Sequence, residues 1–482
     1  MTAAAVLALD QGSHASRACL FDAGGELRAV AAHAVATHRA GEDRVEQDPR
    51  ELAATLQRAM RECLAQASGL RVHSAGLATQ RSSFLCVERA SLEPLSPVLS
   101  WQDRRNAHWL ECLRGEEEAI RRITGLPLSA HYGASKMRWC LDHLPDVQRA
   151  ARAGTLLFLP LSAWLVATLT GTVPRLDPAN ASRTLLWNSA TLDWSPVLLE
   201  HFGIERSMLP DCSPTQAEFG RLADSGAAAG VGLMASTGDQ SAVPFFAGAP
   251  DLHTACINLG TGAFIQRPLA QRPAAPGPLL GSVLCSGKGG VLYSLEGTVN
   301  GAGSAVSAFV RAESREEQPL WQALESLPED AELPLYVNGV GGLGSPWWRP
   351  RVPSRFVGDG DVLRRFAALV ESVAIMLAVN FMRMSEAGPP LRRVLVMGGM
   401  SRSDWLCRRL AAACGAVVER TVAEATARGA AALAAPDLAH GWSAGCVARY
   451  EPATLAGLAR RQARLLALLD AEPSSDAKRA ST

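Results

Sequence analysis

The sequence predicts an α/β protein built from two similar halves. The chain opens with an apolar strand, residues 5–11, which runs into a glycine turn and a second strand over 17–22. The same order recurs at 255–265, where apolar residues flank Gly260, and a further strand ending in glycines lies at 393–400. Strands and helices alternate between these segments, an order typical of α/β folds.

Hydrophobic spacing defines the elements that follow the first hairpin. Apolar residues at every fourth position between 51 and 64 predict one buried helix face: Leu52, Leu56, Met60 and Leu64. Residues 71–79 return to a strand pattern. Residues 154–174 carry no charge and have about the length that spans a bilayer, but Pro160 and Ser162 interrupt the run. We therefore interpret this segment as a buried strand, turn and helix.

The chain is too long for a single hydrophobic core. Its 482 residues predict about two or three domains. We place the hinge near residues 240–254, which gives an N-terminal lobe over 1–245 and a C-terminal lobe over 246–470. The remaining residues, 471–482, are small and polar and are expected to be disordered.

Composition excludes several classes of partner. The 47 basic and 47 acidic residues balance, so no overall field attracts nucleic acid or an anionic membrane. The eleven cysteines are scattered without a CxxC pair, a pattern typical of reduced thiols rather than of disulfides or a zinc site. The N-terminus lacks the basic-then-apolar order of a signal peptide, so we expect a cytoplasmic protein. A homodimer or homotetramer is compatible with these features.

The first candidate site is the tip of the opening hairpin. It reads Asp10-Gln11-Gly12-Ser13, with Arg17 on the returning strand. Glycine lets backbone amides approach a phosphate, the hydroxyl can donate to it, and the carboxylate can hold the accompanying Mg²⁺ through water. The same residue types are common in ordinary hairpin turns, so this motif alone leaves both interpretations open.

Two further glycine turns offer the same chemistry. Gly260-Thr261-Gly262 follows an apolar strand in the second half and could contact a more distal phosphate. Gly398 and Gly399 precede a predicted helix over 401–413, where a phosphate or the face of a base can bind. Each turn alone is equally compatible with a tight structural junction. A cleft between two similar halves, however, would bring them onto one phosphate chain.

The third candidate is Gly238-Asp239-Gln240, which follows a run of small residues. Transfer of a phosphoryl group to an alcohol needs a base on the attacking hydroxyl, and an aspartate can serve without a perturbed pKa. A surface turn is the competing interpretation. Arg81, and Trp101 with its charged neighbours, supply the donors and the apolar face by which polyols are held, although such clusters also occur in solvated loops.

Taken in order, these motifs resemble the FGGY carbohydrate kinases over nearly the whole chain. Each match is short, but the order and spacing of the set are specific. The matching stretches are LDQGSHASR (9–17), VEQDP (45–49), TQR (79–81), WQDRR (101–105), TGLPL (124–128), NASRTLLWN (180–188), LDW (192–194), GDQ (238–240), GTG (260–262), LEG (295–297), SPWW (345–348), GGMSRSDW (398–405) and TARGAAALA (426–434).

The resemblance implies a fold, an activity and a set of site residues. The fold is α/β, with two actin-like (ribonuclease H-like) lobes, each a mixed sheet flanked by helices, around an interlobe active-site cleft. The activity is ATP-dependent phosphorylation of a hydroxyl of a small polyol or sugar. Asp239 would be the general base, and Asp10 and Asp239 would attend Mg²⁺. The residues implied for ATP are Gly12, Ser13, His14, Arg17, Gly260, Thr261, Gly303, Ser307, Gly399 and Ser403.

On the acceptor side the resemblance is less complete. The residues implied there are Arg81, Ser82, Trp101, His131, Tyr132, Asp239, Gln240 and Phe264. Ser82 stands where the glycerol-phosphorylating branch has a glutamate, and His131 where it has a tyrosine, for which Tyr132 could substitute. His14 and Ala15 likewise replace hydroxyl residues. Because a lost hydrogen-bond partner costs about 1–3 kcal/mol, we expect an acceptor larger than glycerol to be preferred.

Three alternatives follow from the same residues. One is a kinase for a ketopentose or a tetritol. Another is an actin-like ATPase that acts as a chaperone or filament subunit and shares both phosphate turns, but only a helix and a polar tail follow the lobes. The third is a catalytically silent sensor, against which the intact Asp10 and Asp239 argue.

Overall fold

The computed structural model describes residues 3–472, except 42, 68, 224–227, 275 and 422–423. It is an α/β structure in which two large mixed sheets form the centres of two lobes. The expectation of a disordered tail concerns 471–482, of which only 471 and 472 are described. The rest of that prediction lies outside the described residues.

The first lobe is built on a sheet of mixed direction. In spatial order its described strands are β14 (Leu233–Gly238), β6 (Leu70–Thr79), β1 (Ala3–Gln11), β2 (Ala15–Asp22) and β3 (Leu27–Ala34). Strands β1, β2 and β3 are antiparallel, while β6 and β14 run parallel to β1. The predicted opening hairpin is confirmed, because β1 pairs with β2 through a turn in which the Gly12 amide donates to the Ala15 carbonyl at 3.0 Å.

Helix α1 (Pro49–Gln66) confirms the helix predicted from fourfold spacing. Asp48 caps it, since its carboxylate accepts from the Arg50 amide at 2.8 Å, and Pro49 occupies the first turn, where a missing N–H costs nothing. The helix packs on β2 and β3. The buried face includes Leu52, Leu56, Met60 and Leu64.

A second sheet and several short helices complete the first lobe. In spatial order the second sheet contains β4 (His38–Ala40), β5 (Arg44–Gln47), β8 (Val98–Leu99), β7 (Phe84–Glu88) and β9 (Leu156–Pro160). Short strand pairs are β10 (Arg175–Leu176) with β13 (Asp211–Cys212) and β11 (Trp187–Asn188) with β12 (Asp193–Trp194). The helices are α2 (Glu117–Thr124), α3 (Gly133–His143), α4 (Pro145–Arg152), α5 (Leu161–Thr170), α6 (Pro178–Ala181), α7 (Pro196–Phe202) and α8 (Asp239–Ala242). Turns of 3₁₀ helix lie at His108–Glu116, Ser182–Thr184, Arg206–Met208 and Val243–Phe245.

The uncharged segment 154–174 forms β9 and α5, as interpreted from the sequence. Strand β9 pairs antiparallel with β7, and α5 begins directly after Pro160. Both elements contribute side chains to the core of the first lobe. Among the described residues, no helix combines the length and the apolar character needed to cross a membrane.

The second lobe repeats the strand, glycine turn and strand of the first. In spatial order its described sheet contains β17 (Leu280–Gly287), β18 (Gly290–Val299), β16 (Ala263–Leu269), β15 (Thr254–Leu259), β21 (Arg393–Met397), β22 (Val417–Arg420) and β23 (Ala448–Tyr450). Strands β15 and β16 form a hairpin around Gly260-Thr261-Gly262, and β21 runs parallel to β15, which confirms the predicted repetition. Strands β19 (Leu335–Val337) and β20 (Arg355–Val357) pair separately.

The helices of the second lobe surround this sheet. They are α9 (Gly303–Ala312), α10 (Glu317–Glu325), α11 (Val362–Ser385), α12 (Asp404–Cys414), α13 (Ala425–Ala434), α14 (Pro436–Ala439) and α15 (Leu458–Ala471). The helix predicted over 401–413 begins at 404 instead. Residues 399–402 form a 3₁₀ turn, and Ser403 caps α12 by accepting from the Leu406 amide at 3.2 Å.

The two lobes touch along α13 and β17. Helix α13 packs on β1 and β6 so closely that a Cβ on Gly76 would meet the Ala430 carbonyl oxygen at 2.2 Å. Strand β17 meets the first lobe where the Gly281 amide donates to the Gly125 carbonyl at 2.8 Å. These contacts border the cleft in which the candidate residues gather. The proposed boundary between residues 245 and 246 remains a prediction.

Candidate active site

The first phosphate turn joins β1 to β2 at the cleft. Asp10 is buried near the end of β1, and Arg17 lies opposite it on β2, with Nη1 3.6 Å from Asp10 Oδ2. Gly12 and Ser13 form the turn, and His14 is exposed at its tip. A carboxylate, a guanidinium and turn amides are therefore presented by one hairpin, as the sequence predicted.

The Ser13 hydroxyl is bonded to the acceptor side of the cleft. It donates to Gln80 Oε1 at 2.9 Å and accepts from the Trp101 indole N–H at 2.8 Å. The Ser13 carbonyl accepts from the Gln47 side-chain amide at 2.9 Å. Ser13 therefore ties the phosphate turn to Gln80 and Trp101, and its backbone amide, rather than its hydroxyl, is the group left for a phosphate.

Asp10 and Arg17 line a cavity of about 660 Å³ between the lobes. Its other walls include Asn258, Gly398, Gly399 and Glu424. Glu424 lies 3.7 Å from Arg17, so this guanidinium is shared between two carboxylates. Burial, and next the charge of Asp239, raise the pKa of Asp10 to about 7 against the opposing effect of Arg17. The carboxylates near Asp10 are thus incompletely neutralised, which favours an additional cation there.

A larger cavity, of about 820 Å³, lies against the second lobe. Six of the residues predicted to attend the nucleotide line it: Gly260, Thr261, Gly303, Ser307, Gly399 and Ser403. Close packing of two backbones explains the glycine at 303, because a Cβ there would meet the Gly260 carbonyl oxygen at 2.8 Å. Gly399 lines both cavities, which therefore adjoin each other.

Ser403 is engaged at the wall of the larger cavity. Its hydroxyl donates to Glu325 at 2.7 Å, and the Trp405 amide donates to both oxygens of the same carboxylate at 3.0 Å. Glu325 therefore offsets the positive end of α12. A ligand in this cavity meets glycine backbones and a carboxylate rather than an open helix terminus.

Asp239 begins α8 directly after β14. Its Oδ1 accepts from the Gln240 amide at 2.7 Å and lies 3.8 Å from Arg81 Nε. The side chain is 26% exposed, so it is neither a solvated turn residue nor fully enclosed. Burial raises the pKa of Asp239, and Arg81 opposes the rise. The carboxylate is thus held at one oxygen and remains accessible, a state suited to accepting a proton.

Three rings form a wall beside Arg81. The ring centroids of Trp101 and His131 lie 5.6 Å apart, and those of His131 and Tyr132 lie 5.0 Å apart. Tyr132 is buried and His131 is half-buried. Burial, and next the charge of Arg104, lower the pKa of His131 well below its usual range. His131 is therefore a neutral imidazole that can both donate and accept hydrogen bonds.

The other predicted acceptor residues leave polar atoms unused. Ser82 Oγ and Gln240 Oε1 are buried and have no hydrogen-bond partner among the described residues. Such atoms are available to a bound ligand. The Gln240 carbonyl accepts from the side-chain amide of Gln266 on β16 at 2.6 Å. Phe264 shares that face of the strand, because alternate residues point the same way. Strand β16 therefore brings Phe264 to the acceptor side.

Two charged residues beside Arg81 were not among the predicted ones. Glu296 on β18 accepts from Arg81 Nη1 and Nη2, each at 2.8 Å, and Arg183 pairs with the same carboxylate. Although burial raises the pKa of Glu296, Arg183 and Arg81 outweigh it and hold that pKa well below its usual range. Both residues lie inside matching stretches, LEG and NASRTLLWN. An acid in the interior of an apolar strand is the signal that could have identified Glu296.

Comparison with known protein families gives matches along most of the chain. The N-terminal domain of the FGGY family of carbohydrate kinases matches residues 5–257. The C-terminal domain of the same family matches residues 255–437.

Curated relatives of high similarity are glycerol kinases. The chain is 35% identical to the glycerol kinase of Thermus brockianus over 437 residues, which covers 88% of each protein. It is also 35% identical to the glycerol kinase of Alkalilimnicola ehrlichii over 448 residues, 89% of this chain and 90% of that one. These relatives favour a glycerol-kinase-like protein over the ketopentose kinase that the sequence left open.

Solved structures of similar fold include kinases for different acceptors. Plasmodium falciparum glycerol kinase with ADP superposes with a TM-score of 0.88 at 20% identity and covers 97% of each chain. A xyloylose kinase from Brucella ovis superposes with a TM-score of 0.87 at 21% identity, over 96% of this chain and 98% of that one. At these identities the likeness shows the fold alone, and it confirms the predicted pair of actin-like lobes.

Proposed function

This chain belongs to the FGGY family of carbohydrate kinases, and on that premise we propose that Asp239 is the base that activates a hydroxyl of a small polyol for phosphorylation by ATP. Members of this family are phosphotransferases that act on hydroxyl groups. The observation that carries the proposal is the accessible carboxylate of Asp239 beside Arg81, near enough to Asp10 of the first phosphate turn for its charge to raise the pKa of Asp10.

In the proposed reaction the acceptor hydroxyl lies against the Asp239 carboxylate. The hydroxyl oxygen attacks the γ-phosphorus, the bond from that phosphorus to the ADP oxygen breaks, and the hydroxyl proton passes to Asp239. Arg81, 3.8 Å from Oδ1, keeps the carboxylate oriented. The raised pKa of Asp239, caused by burial, makes it a better proton acceptor than a solvated aspartate.

ATP is assigned to the larger cavity and its junction with the smaller one. The larger volume, about 820 Å³, suits a small-molecule site, for which about 300–1,000 Å³ is usual. The backbone at Gly260 and Thr261, and the first turn of α9 at Gly303, would approach the phosphates. Gly12 and Arg17 would meet them from the first lobe.

The donor set fits Mg²⁺. Asp10 is a buried carboxylate whose pKa is raised to about 7 by burial and by Asp239, so a bound cation would relieve an unfavourable pair. Proteins usually hold Mg²⁺ through one or two carboxylates together with substrate phosphates. Asp10 and Asp239 are the residues that would hold it, and the ion would neutralise charge on the transferred phosphoryl group.

Glycerol is the first acceptor to test, because the curated relatives are glycerol kinases. Neutral His131 and the unused Gln240 Oε1 supply hydrogen-bonding groups, and Trp101 supplies an apolar face, a combination that suits a polyhydroxylated chain. Ser82, smaller than the glutamate of the glycerol-phosphorylating branch, gives a four-carbon polyol as the second candidate.

The test is a coupled assay of ADP release over a panel of glycerol, tetritols, pentitols and ketopentoses. We expect release to depend on a polyol and to be strongest for a triol or tetritol. Equal ADP release with and without any acceptor would contradict the proposal and support the actin-like ATPase. Release driven best by ketopentoses would reassign the acceptor class.

A further inference from the structure

We propose that Glu296 is a positioning residue for the acceptor site: from the second lobe it holds Arg81 and Arg183 of the first lobe, so that Arg81 Nε faces Asp239. The inference rests on the proposed function, since it concerns the residue assigned as the base. It adds a residue of β18 to a site otherwise formed mainly by the first lobe.

The guanidinium of Arg81 is fixed by Glu296. Nη1 and Nη2 each donate to a different oxygen of that carboxylate at 2.8 Å, a planar two-point contact that sets both the position and the tilt of the group. Nη1 also lies 3.4 Å from Ser241 Oγ. With both terminal nitrogens occupied, Nε is the nitrogen that faces Asp239, 3.8 Å from Oδ1.

Glu296 is itself held on several sides. Its Oε1 accepts from the Ser294 hydroxyl at 3.2 Å and from the Ser282 hydroxyl of neighbouring β17 at 3.3 Å. The adjacent Gly297 allows β18 to pack closely on α11, since a Cβ at this position would meet Asn380 Oδ1 at 2.5 Å. The carboxylate therefore stands on a rigid element, which is what accurate positioning of a reactive group requires.

Removing the charge of Glu296 would release its partners. The side chains of Arg81 and Arg183 are 10% and 3% exposed, and both form ion pairs with the Glu296 carboxylate. The two guanidiniums carry like charges and pair with the same carboxylate oxygen, Glu296 Oε1, and burial and the charge of Arg81 both lower the pKa of Arg183. Without Glu296, Arg81 would move away from Arg183, and the nearest remaining carboxylate is Asp239. A close ion pair with Arg81 would then occupy the carboxylate that is otherwise open to the acceptor hydroxyl.

The first test replaces the charge and keeps the shape. Glu296→Gln should lower kcat/KM for the acceptor by about 100-fold, the scale of effect that misplacement of a reactive group produces, while the KM for ATP stays within about twofold of wild type. The variant is then combined with Arg81→Gln. If Glu296 acts through Arg81, the double variant loses no more kcat/KM than Arg81→Gln alone. Losses that multiply would overturn the proposal, as would a Glu296→Gln enzyme of wild-type kcat/KM.

A milder variant covers the case in which Glu296→Gln does not fold. Ser294→Ala removes one hydrogen bond to Glu296 and should lower kcat/KM for the acceptor by about fivefold without changing the KM for ATP. An unchanged kcat/KM would contradict the proposal. A wild-type protein that phosphorylates no acceptor would instead refute the proposed function, so the two failures can be told apart.

Discussion

Two buried clusters among the described residues each place one glutamate between two arginines. The cleft cluster consists of Arg81, Glu296 and Arg183, and the core cluster of Arg409, Glu371 and Arg461. In the core cluster, Glu371 accepts from Arg461 at 2.6 and 2.8 Å and from Arg409 at 3.1 Å. Each cluster also leaves one buried guanidinium nitrogen, Arg183 Nε or Arg409 Nη1, without a hydrogen-bond partner among the described residues.

The clusters differ in what surrounds them. The core cluster joins three helices of the second lobe, α11, α12 and α15, and Arg409 lies over the ring of Trp405 at 3.5 Å. The core cluster therefore holds α15 against α11, which packs on the sheet of the second lobe. The cleft cluster joins both lobes, and Arg81 continues to Asp239. The same ionic chemistry therefore docks a helix in one place and orients a reactive carboxylate in the other, and the neighbouring groups decide which.

The largest effect is expected at the residue that gives the cleft cluster its function. Asp239→Asn keeps the shape of the side chain but cannot take the hydroxyl proton, so turnover should fall by ~10²–10⁴-fold. The affinity for ATP should change little, because Asp10 remains to hold Mg²⁺, and the melting temperature should change little, because the side chain of Asp239 is partly exposed. Turnover is measured by coupled ADP release, with the exposed Asp437→Asn as the matched control. Retention of more than about a tenth of wild-type turnover would contradict the assignment of the base.

In the core cluster, replacing the glutamate should change the stability of the protein and leave its activity unchanged. Glu371→Gln leaves two buried guanidiniums without a counter-charge, which should lower the free energy of unfolding by about 3–5 kcal/mol. Urea denaturation measures that change, and assays at low temperature measure kcat and KM of the folded enzyme. Both constants should stay within about twofold of wild type. A Glu371→Gln enzyme that is stable but inactive would break the distinction between the two clusters.

Local sequence signals were sufficient to predict several elements of the fold. The opening hairpin, α1 and the second glycine turn were predictable because their signals lie within a few residues of each other. The start of α12 was predictable too, from the capping residue Ser403, but the glycine pair before it suggested an earlier start. The glycine turns likewise identified the backbone that lines the larger cavity.

The side-chain partners within the site could not be predicted. Arg81 and Glu296 are 215 residues apart, and Ser13 and Gln80 are 67 apart, so no local period relates them. Arg81 was predicted to face the acceptor, and its two terminal nitrogens are occupied by a carboxylate from the other lobe. Which charges neutralise each other is decided by how the lobes dock, and that information is absent from any single motif.

A smaller effect, on the affinity for ATP, is expected at Thr261 in the larger cavity. Thr261→Val exchanges a hydroxyl of the larger cavity for a methyl of equal size, so ATP should bind more weakly by about 1–2 kcal/mol while the KM for the acceptor is unchanged. Steady-state kinetics with ATP as the varied substrate measure the change. The exposed Thr191→Val is the control for the same exchange elsewhere. An unchanged KM for ATP would mean that the turn is structural.

An effect of about the same size is expected on the choice of acceptor, beside the cleft cluster. Ser82 follows Arg81 in the chain, and its Oγ is buried without a partner among the described residues. A carboxylate at this position could therefore reach the substrate. We expect Ser82→Glu to raise kcat/KM for glycerol relative to four- and five-carbon acceptors by ~10-fold, as one charged hydrogen bond allows.

Ser82→Gln, of equal size but uncharged, separates charge from volume and should shift the ratio much less. An equal shift in both variants would mean that volume alone sets the preference. A wild-type enzyme that already prefers glycerol by a wide margin would mean that His131 or Tyr132 supplies the contact, and that the cleft cluster sits beside an acceptor pocket already complete for a triol.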